Sequence, residues 1–510
     1  MSGAPARGMA VREPMRRIRR LLIANRGEIA LRIIRSAQAM GLKTVAVYSQ
    51  ADAGAAHVAA ADDALPIGPA EAARSYLSIE SILAAALKSG ADAIHPGYGF
   101  LSEQAPFARA VAEAGLIFVG PPAPVLAAVG DKLAARKMAL ELGVPLVPGA
   151  APDSLSAARA LAADIGYPVL VKAAAGGGGR GMRVARSESE LEQALEAGAR
   201  EATAAFGDGR VYLEKYLARP RHLEVQILAD QHGRVVALGE RECSVQRRHQ
   251  KLIEEAPSPA LDDGLRSQIA EAAIKLAARA NYVNAGTIEF LLDGREFYFL
   301  EVNARLQVEH PVSELRFGCD LVAEQLKLAM GERVEQRRRP RGHAMECRVY
   351  AEDAEADFRP AAGKVLYFQQ PAGPGVRVDT WLASGVEVTS FYDGLLAKVI
   401  TWGEEREQAR RRMARALEEF VLAGVTHTAG FLRDVVRSAP FAAGELSTRL
   451  IAEHFAAWRP AQEQVEIALV AAALARQTAS SDGRGVRQDA RTQPERSPWR
   501  ELARFSPWSR

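Results

Sequence analysis

Residues 301–311 read EVNARLQVEHP, a short stretch that combines two carboxylates, a carboxamide and a guanidinium. So many charged and polar groups are poor material for a protein core. If the stretch begins within a β-strand, its side chains alternate between two faces. Glu301 and Asn303 then share one face, while Leu300 and Val302 point into the core. The stretch therefore predicts a sheet with one face devoted to polar chemistry.

A second segment, residues 287–292 with the sequence TIEFLL, precedes this strand across Asp293-Gly294, a dipeptide typical of a hairpin turn. The length of the connection decides whether Glu289 and Glu301 can meet, because side chains alternate along both strands. A two-residue connection places the two carboxylates on opposite faces. A three-residue connection, Asp293-Gly294-Arg295, places them diagonally on the same face, and this is the arrangement that we predict.

Two carboxylates and a carboxamide on one sheet face suit a hard cation with oxygen ligands. Mg²⁺ in proteins typically takes one or two carboxylates together with nucleotide phosphates. The hairpin therefore predicts a nucleotide site nearby. The alternative is a solvated sheet face on which Arg305 serves as a counter-ion.

The composition limits the classes of function. The chain has 510 residues, of which 48% are hydrophobic, so it is long enough for several domains with cores of their own. Its formal net charge of +3 implies no global field for nucleic acid or membrane, and neither is predicted as a partner. Cys243, Cys319 and Cys347 lie far apart without metal-ligand spacing, which fits buried thiols in a reducing compartment.

The two ends of the chain are predicted to be tails. Residues 1–17 are rich in arginine but lack an apolar core, and no later run reaches the roughly 18 apolar residues of a membrane span. We therefore expect a disordered basic tail at 1–17 and a cytoplasmic protein. Residues 456–510 are expected to be helical and then disordered.

The apolar segments between these tails predict three domains. Four short strands alternate with helical segments, at 21–24, 44–48, 93–95 and 117–120. This alternation is typical of a doubly wound parallel sheet over residues 18–130. Residues 131–335 contain the carboxylate hairpin and form the second expected domain, and short strands within 343–455 indicate a third, β-rich domain. The predicted fold class is α/β, or α+β overall.

Residues 172–182, KAAAGGGGRGM, form a glycine-rich segment after an apolar strand. Glycine lets backbone N–H groups close on phosphate oxygens without Cβ clashes. The segment is not a Walker A loop, because no Gly-Lys-Ser/Thr follows, nor a dinucleotide fingerprint that opens a helix. We interpret it as a mobile hairpin lid over phosphates, because Lys172 precedes the glycines and Arg180 follows them. A flexible linker is the alternative.

Two further segments indicate contacts with a nucleotide. Residues 214–217, EKYL, are similar to an adenine-binding hinge, although this signal alone is weak. Residues 241–251, RECSVQRRHQK, are strongly basic and are followed at once by Glu254-Glu255. Because anions follow the cations directly, an internal polar site is favoured over a nucleic-acid patch. A solvated basic strand is the alternative.

Five segments, in order along the chain, resemble biotin carboxylase. They are NRGEIA at 25–30, HPGYGFLSE at 95–103, the glycine-rich segment, QRRHQK at 246–251 and NARLQVEHP at 303–311. The resemblance implies an ATP-grasp fold for the central domain. It also implies an enzyme that carboxylates biotin with ATP and bicarbonate through a carboxyphosphate intermediate.

The resemblance assigns roles to individual residues. ATP would be held by Lys132, Lys172, Gly176, Gly177, Gly178, Gly179, Met182, Glu214, Lys215, Leu217, His222, Gln246, His249 and Leu291. Mg²⁺ or Mn²⁺ would be bound by Glu289, Glu301 and Asn303. Bicarbonate would be surrounded by Lys251, Arg305, Gln307, Val308 and Glu309, and biotin would lie by Tyr98 and Arg348. The catalytic residues would be Lys251, Arg305, Glu309 as the base, and Arg348, which would stabilise the biotin enolate.

The resemblance also implies partners. No Ala-Met-Lys-Met biotin-attachment motif occurs in the sequence, so biotin is expected on a separate biotin carboxyl carrier protein. Carboxyltransferase subunits and a homodimeric state are expected as well. The assembly could act on acetyl-CoA, with propionyl-, methylcrotonyl- and geranyl-CoA carboxylases as alternatives. Another ATP-grasp ligase with an acyl-phosphate intermediate, and a non-catalytic module of a carboxylase, are the rival interpretations.

Overall fold

Five parallel strands form the sheet of the N-terminal part. The structure, a computed structural model, describes residues 17–174, 182–335 and 339–460 of the chain. The strands are β1 (Arg20–Ile23), β2 (Lys43–Ser49), β3 (Asp63–Gly68), β4 (Ala93–His95) and β5 (Ile117–Phe118). They lie in the order β3-β2-β1-β4-β5, and each neighbouring pair is parallel. The chain reverses its direction of travel across the sheet at β1, so the predicted doubly wound arrangement is confirmed.

Helices accompany these strands and bury their apolar faces. They are α1 (Gly27–Ala39), α2 (Ala56–Ala60), α3 (Ile79–Ser89), α4 (Ala105–Glu113) and α5 (Ala123–Gly130). Two short 3-10 helices lie at Gln50–Asp52 and Ala72–Arg74. In α1 the buried residues Ile29, Ile33, Ile34 and Ala37 recur at helical spacing. This spacing gives one continuous apolar stripe, which packs in a core cluster with β1 and β4.

A four-stranded sheet follows in the chain. Its strands are β6 (Gly149–Ala150), β7 (Val169–Ala173), β8 (Arg183–Ala185) and β9 (Val211–Lys215), in the order β6-β9-β7-β8. The helices of this part are α6 (Lys132–Glu141), α7 (Leu155–Ile165) and α8 (Glu188–Phe206). Strands β7 and β8 pair antiparallel on either side of residues 175–181. The predicted glycine lid falls on 175–181, outside the described residues, as do residues 1–16 and 461–510 of the predicted tails at 1–17 and 456–510.

An eight-stranded sheet dominates the rest of the described chain. The strands after β9 are β10 (Arg221–Ala229), β11 (Val235–Arg247), β12 (Gln250–Ala256), β13 (Asn284–Asp293), β14 (Glu296–Asn303), β15 (His343–Tyr350), β16 (Glu352–Asp353), β17 (Arg359–Pro360), β18 (Gly363–Lys364), β19 (Tyr367–Gln369), β20 (Val376–Thr380), β21 (Glu387–Val388), β22 (Leu395–Gly403) and β23 (Val421–Ala423). The large sheet has the order β14-β13-β10-β11-β12-β15-β22-β20. The pairs β16-β17, β18-β21 and β19-β23 form three two-stranded sheets.

The large sheet joins two segments that the sequence assigned to different domains. Strand β12 belongs to the expected ATP-grasp segment and pairs antiparallel with β15 of the expected third segment, in the register Ile253↔Cys347 and Glu254↔Glu346. A buried apolar cluster continues across this seam, because Val245, Ile253 and Val349 belong to the same core. Residues from both segments are therefore held in one rigid sheet.

The hairpin of β13 and β14 differs from the prediction. Asp293 pairs with Glu296, so the connection has two residues, and the predicted three-residue connection is wrong. A bulge then shifts the register, because Phe290 pairs with Phe299 but Glu289 pairs with Glu301. The extra residue of the bulge restores the parity that the short turn would have reversed. Glu289 and Glu301 consequently lie directly opposite each other on one face.

The bulge also changes which residues enter the core. The extra residue is Leu300, which was predicted to point inward together with Val302. Instead, Phe299 is buried in the core cluster of this sheet, and Val302 packs against that cluster. Two residues lie opposite one in a bulge, so strict alternation fails there. The predicted inward position of Leu300 is therefore wrong, whereas that of Val302 is confirmed.

Helices cover the large sheet and complete the fold. They are α9 (Asp263–Arg279), α10 (His310–Phe317), α11 (Leu321–Ala329), α12 (Arg406–Glu419), α13 (Ala429–Arg437), α14 (Ala439–Ala443) and α15 (Leu450–His454), with a 3-10 turn at Ala354–Ala356. Within the described ranges, none of these helices combines the length and apolarity needed to cross a membrane. Cys243 and Cys347 are buried thiols as predicted, and Cys319 is only partly buried.

Candidate functional site

Lys251 lies at the centre of a buried ionic cluster. Its Nζ lies 2.7 Å from Glu224 Oε2, 2.8 Å from Glu289 Oε1 and 2.8 Å from Glu309 Oε1. Strand β12 supplies the lysine, β10 and β13 supply two of the carboxylates, and Glu309 immediately precedes α10. We call Lys251, Glu224, Glu289 and Glu309 the lysine cluster. The solvated-strand alternative is excluded for this region, because Arg241 on the neighbouring strand is also fully buried.

The side chains of the lysine cluster keep one another in their charged forms. Burial disfavours the charged form of Lys251, but the three carboxylates outweigh burial and raise the pKa of Lys251 well above its ordinary value. Burial likewise opposes ionisation of Glu309, yet Lys251, Arg348 and Arg241 hold the pKa of Glu309 well below its usual range. The pKa of Glu289 is lowered by Lys251 and His222 in the same way, against the effect of its burial. All three groups are therefore charged at neutral pH.

Arg348 closes the cluster on the side of Glu309. Its Nη2 lies 2.9 Å from Glu309 Oε2 and 2.5 Å from Glu254 Oε1. Burial disfavours ionisation of Glu254 and raises its pKa to about 7, although Arg348 opposes this effect. Glu309 is thus held between Lys251 on one oxygen and Arg348 on the other. A single carboxylate between two fixed cations is well placed to act on an anion that shares those cations.

Arg305 organises the loop between β14 and α10. Its guanidinium donates to Glu103 Oε2 at 2.9 Å, to Gln307 Oε1 at 2.6 Å and to Asn303 Oδ1 at 3.1 Å. The backbone N–H of Ala304 also donates to Glu103, at 3.1 Å. Glu103 comes from the N-terminal part of the chain, so this network fastens the loop to that part. Of the predicted bicarbonate residues in this loop, Arg305 and Gln307 are joined directly by these bonds.

The candidate metal ligands converge, but they differ in availability. Glu289 is 3% exposed, accepts from Asn303 Nδ2 at 2.8 Å and lies 2.7 Å from His222 Nε2. Glu301, directly opposite, pairs only with Lys132 among its described ionic contacts, at 2.9 Å. Two adjacent carboxylates are a donor set that fits Mg²⁺ or Mn²⁺. Asn303 fits less well here, because its oxygen already accepts from Arg305.

One other group of potential metal ligands occurs in the described part of the chain. Ligand atoms of Glu224, Cys243 and Glu309 lie within 4.8 Å of one another. Arg241 and Lys251 already neutralise the two carboxylates, and burial raises the pKa of the Cys243 thiol well above its ordinary value. The thiol is therefore protonated, and this group does not fit a metal as well as Glu289 and Glu301 do.

Lys132 and Lys172 are two further lysines that form ion pairs with carboxylates, Lys132 with Glu301 and Lys172 with Glu214. Lys172 Nζ lies 2.8 Å from Glu214 Oε2, and Arg136 binds the other oxygen of Glu214. Burial opposes the charge on Lys172, but Glu214 and Tyr212 raise the pKa of Lys172 above its ordinary value. Lys132 is charged for a similar reason, since Glu301 outweighs its burial. Both lysines therefore present a positive charge at neutral pH.

The remaining predicted nucleotide residues differ in their exposure and in their contacts. Lys215 donates to the Gly166 carbonyl at 2.7 Å, and Gln246 pairs in register with Lys251. His249 is exposed in the turn between β11 and β12, where its φ of 67° is left-handed. The half-buried apolar residues are Met182, Leu217 and Leu291. The predicted Gly176 to Gly179 fall outside the described residues.

Tyr98 and Val308 meet through two buried residues that the sequence did not single out. The Tyr98 hydroxyl donates to Glu28, and Lys398 Nζ lies 3.1 Å from the same Glu28 oxygen. Lys398 also donates to the Val308 carbonyl at 3.0 Å. Lys398 is fully buried and lies on β22, opposite Arg348 in the register. One lysine thus links the predicted biotin residue Tyr98 to the loop that carries Val308 and Glu309.

Sequence reasoning missed Glu224, Glu254 and Lys398. A signal existed for Glu224, because His222, Glu224 and Gln226 alternate with apolar residues and so share one face of a strand. Glu254 was noted only as an anion that follows the basic segment, and Lys398 gave no local signal. Their positions depend on the pairing of β12, β15 and β22, which lie far apart in the sequence.

Comparisons with known proteins agree with this geometry. Models of three families match: the biotin carboxylase N-terminal domain at residues 17–126, the ATP binding domain of the carbamoyl-phosphate synthase L chain at 131–337, and the biotin carboxylase C-terminal domain at 346–453. A biotin carboxylase of Nostoc is 50% identical over 440 residues, which are 85% of this chain and 98% of that protein. A pyruvate carboxylase subunit of Methanothermobacter thermautotrophicus is 47% identical over 85% of this chain and 90% of its own length.

A solved structure is similar over the same range. It is the biotin carboxylase domain dimer of Hydrogenobacter thermophilus 2-oxoglutarate carboxylase, in complex with MgADP, ADP and bicarbonate. It has a TM-score of 0.84 and 42% identity, and the match covers 87% of this chain and 99% of that one. Fold and site together define an ATP-dependent ligase of the ATP-grasp class. The chain belongs to the biotin carboxylase family.

Proposed function

We propose that this chain transfers carboxylate from bicarbonate to biotin on a separate carrier, with cleavage of ATP. The observation that carries the proposal is Glu309, whose two oxygens are held by Lys251 and Arg348. A buried carboxylate held between two cations, close to further carboxylates, suits a reaction between several anions. The similarity to a structure that contains MgADP and bicarbonate supports the same substrates here.

Bicarbonate is proposed to bind where Lys251 and Arg305 present their charges, with Gln307 and Val308 alongside. Glu309 then removes the bicarbonate proton, and the resulting dianion attacks the γ-phosphorus of ATP to give carboxyphosphate and ADP. The low pKa of Glu309 makes it a weak base as long as no anionic substrate competes for Lys251 and Arg348. Anionic substrates draw these cations toward themselves, and this raises the basicity of Glu309 when it is needed.

ATP is proposed to bind over Lys132 and Lys172, with the adenine near Lys215 and Leu217. Glu289 and Glu301 would hold Mg²⁺ or Mn²⁺, which supplies charge screening for the phosphates. Lys132 pairs with Glu301, and both side chains are partly exposed, so the two can separate when phosphates and metal arrive. A unit charge pair at 4 Å is worth ~1 kcal/mol in water and ~4 kcal/mol at an effective dielectric near 20. Exclusion of water from this site therefore strengthens these contacts.

Biotin is proposed to lie between Tyr98 and Arg348. Carboxyphosphate would break down to CO2 and phosphate, and the phosphate would accept the ureido proton. The biotin oxygen then carries negative charge, to which a guanidinium is a strong donor, and the ureido nitrogen forms its new bond to CO2. Arg348 Nε is buried and has no hydrogen-bond partner among the described residues. It is therefore free to donate to a ligand. Each substrate would then contact a cation: Arg348 for biotin, Lys251 and Arg305 for bicarbonate, and Lys132 and Lys172 for ATP.

The chain is proposed to work within a larger assembly. The related pyruvate carboxylase protein is named as one subunit of its enzyme, and the solved relative is described as a dimer. We propose a biotin carboxyl carrier protein and carboxyltransferase subunits as partners, a homodimeric state and a cytoplasmic location. The acyl acceptor is chosen by the transferase, so an acetyl-CoA carboxylase and propionyl-, methylcrotonyl- or geranyl-CoA carboxylases are all compatible with this chain.

The test is incubation of the purified full chain with MgATP, labelled bicarbonate and free biotin. We expect acid-labile label on biotin together with release of ADP. ADP release without labelled biotin would instead support another ligase with an acyl-phosphate intermediate. A folded protein that gives neither product, even with a biotinylated carrier domain added, would contradict catalysis and support a non-catalytic role.

A further inference from the structure

Two buried carboxyls lie behind Arg348 and have no part in the proposed chemistry. Glu254 on β12 and Glu346 on β15 are both fully buried and pair directly across the two strands. Directly opposed residues on antiparallel strands have Cβ atoms roughly 4.5–5.5 Å apart. Neither carboxyl has a hydrogen-bond partner for its oxygens among the described residues. Two ionised carboxylates in this position would repel each other strongly.

The surroundings show which of the two carboxyls has a cation. Glu254 Oε1 lies 2.5 Å from Arg348 Nη2, the same nitrogen that contacts Glu309 at 2.9 Å. The other charged or titratable groups that act on the pair are Lys251, Cys347, Arg348, Glu309 and Lys398. Burial raises the pKa of Glu346 well above its ordinary range and, although Lys398 opposes this, Glu254 raises it further. Glu346 is therefore the member of the pair that carries a proton.

We propose that Glu254 is a positioning residue, which holds Arg348 in place for the biotin half of the reaction, with Glu346 as the neutral carboxyl behind it. The inference rests on the proposed function. When Glu309 turns to bicarbonate, Arg348 loses one of its two carboxylate contacts. Glu254 keeps the guanidinium aligned during that step, and the uncharged Glu346 leaves the negative charge of Glu254 directed at Arg348 alone.

The distinguishing measurement is the pH dependence of a Glu254→Gln variant of the full chain. At pH 8 we expect kcat for carboxybiotin formation to fall by roughly 10- to 100-fold, since misplacement of a catalytic group by about 1 Å can cost 100-fold. The KM for ATP should stay within twofold of the wild-type value. The deficit should shrink toward pH 6, because burial sets the pKa of Glu254 to about 7 and the wild-type carboxyl is then protonated too.

A Glu346→Gln variant provides the second arm. The amide is neutral, as the protonated carboxyl is, so we expect activity within about twofold of wild type from pH 6 to pH 8. Glu254→Asp keeps the charge and should retain more activity at pH 8 than Glu254→Gln, even if the latter folds poorly. Glu240→Gln is the matched control, because Glu240 is equally buried on β11 but pairs with Arg266, away from Arg348.

Several outcomes would overturn the inference. A Glu254→Gln deficit of equal size at every pH, or a matching rise in the KM for ATP, would indicate a merely structural role. Wild-type activity in Glu254→Gln, or a tenfold loss in Glu346→Gln, would contradict the roles of the two carboxyls. A wild-type protein that forms no carboxybiotin at any pH would instead overturn the proposed function itself.

Discussion

The lysine cluster and the Lys132–Glu301 pair hold their charges in different ways. In the lysine cluster the side chains of Glu224 and Glu309 are fully buried, and that of Lys251 is 12% exposed. In the Lys132–Glu301 pair the side chains are 18% and 26% exposed. A partly exposed pair exchanges partners at little cost, whereas a buried charge that loses its partner costs several kcal/mol. The pair is thus suited to open for a ligand, and the cluster to stay fixed.

This contrast matches the proposed order of chemistry. Nucleotide and metal must arrive and leave in every cycle, so their anchors need low barriers to exchange. The groups that activate bicarbonate and biotin work best when they are already oriented, because reorganisation during the reaction would raise the barrier.

The largest effect is expected for Arg348→Ala. This change removes the proposed donor to biotin and leaves Glu254 and Glu309 without a shared cation. We expect carboxybiotin formation to fall by about 10²- to 10³-fold, with nucleotide affinity near normal. The measurements are labelled carboxybiotin and calorimetric binding of MgADP. Arg411→Ala, at an exposed pair with Glu407, is the control, and a fully active Arg348→Ala would contradict the biotin assignment.

Lys251→Gln tests whether the lysine cluster is fixed. It leaves three carboxylates facing one another in the interior, so we expect the free energy of unfolding to fall by about 3 kcal/mol. Urea denaturation at pH 7.5 measures the change. Lys43→Gln is the matched control, since Lys43 pairs with Asp62 at the surface and should contribute less than about 1 kcal/mol. Equal losses of unfolding free energy in Lys251→Gln and Lys43→Gln would contradict the view that the lysine cluster is fixed more firmly than an exposed ion pair.

Glu301→Gln tests the exchangeable pair. The change removes one proposed metal ligand but also frees Lys132 to contact the phosphates, so the two effects partly offset each other. We expect affinity for MgADP to weaken by about tenfold, with a smaller change for ADP without metal. Glu296→Gln, on the same strand but bonded to Tyr298 at the exposed end, should bind MgADP normally. Unchanged MgADP affinity in Glu301→Gln would count against its role as a metal ligand.

The smallest effect concerns two buried histidines, His57 and His95. Burial lowers the pKa of His57 and of His95 to about 4. Below the unfolded pKa near 6.5 the unfolded chain takes up protons that the folded chain does not, so stability is lost as the pH falls from 6.5 toward 4. Between pH 7.5 and 5.5 we expect a loss of about 1 kcal/mol for each histidine. Urea denaturation should show a shallower pH dependence in His57→Gln, and an unchanged dependence would contradict the assignment.

Much of the site could be predicted because its residues cluster in short sequence segments. Glu301, Asn303, Arg305, Gln307 and Glu309 alternate within nine residues, and their resemblance to a known family identified their partners. The doubly wound N-terminal sheet was predictable for a similar reason, because each βα unit is local. The glycine lid stays a prediction.

The rest depends on strand pairing between distant segments. Glu254 and Glu346 are unremarkable as sequence, and they become a pair only because β12 and β15 are neighbours in this register. Lys398 joins the site through a third strand, β22. The three-residue turn was wrong because periodicity assumes an unbroken strand, and one inserted residue defeats that assumption while leaving no mark in the sequence.

The bulge residue Leu300 decides which face of β14 carries Glu301 and Asn303. The two-residue turn fixes the phase of β14 from Glu296 to Phe299, and the bulge resets the phase for Glu301 and Asn303. If the bulge were lost while Leu300 was kept, Glu289 would pair with Leu300, and Glu301 and Asn303 would turn toward the core. Deletion of Leu300 would instead leave Glu301 opposite Glu289. The reactive face therefore depends on the position of one unpaired residue as strictly as it depends on the chemistry of its side chains.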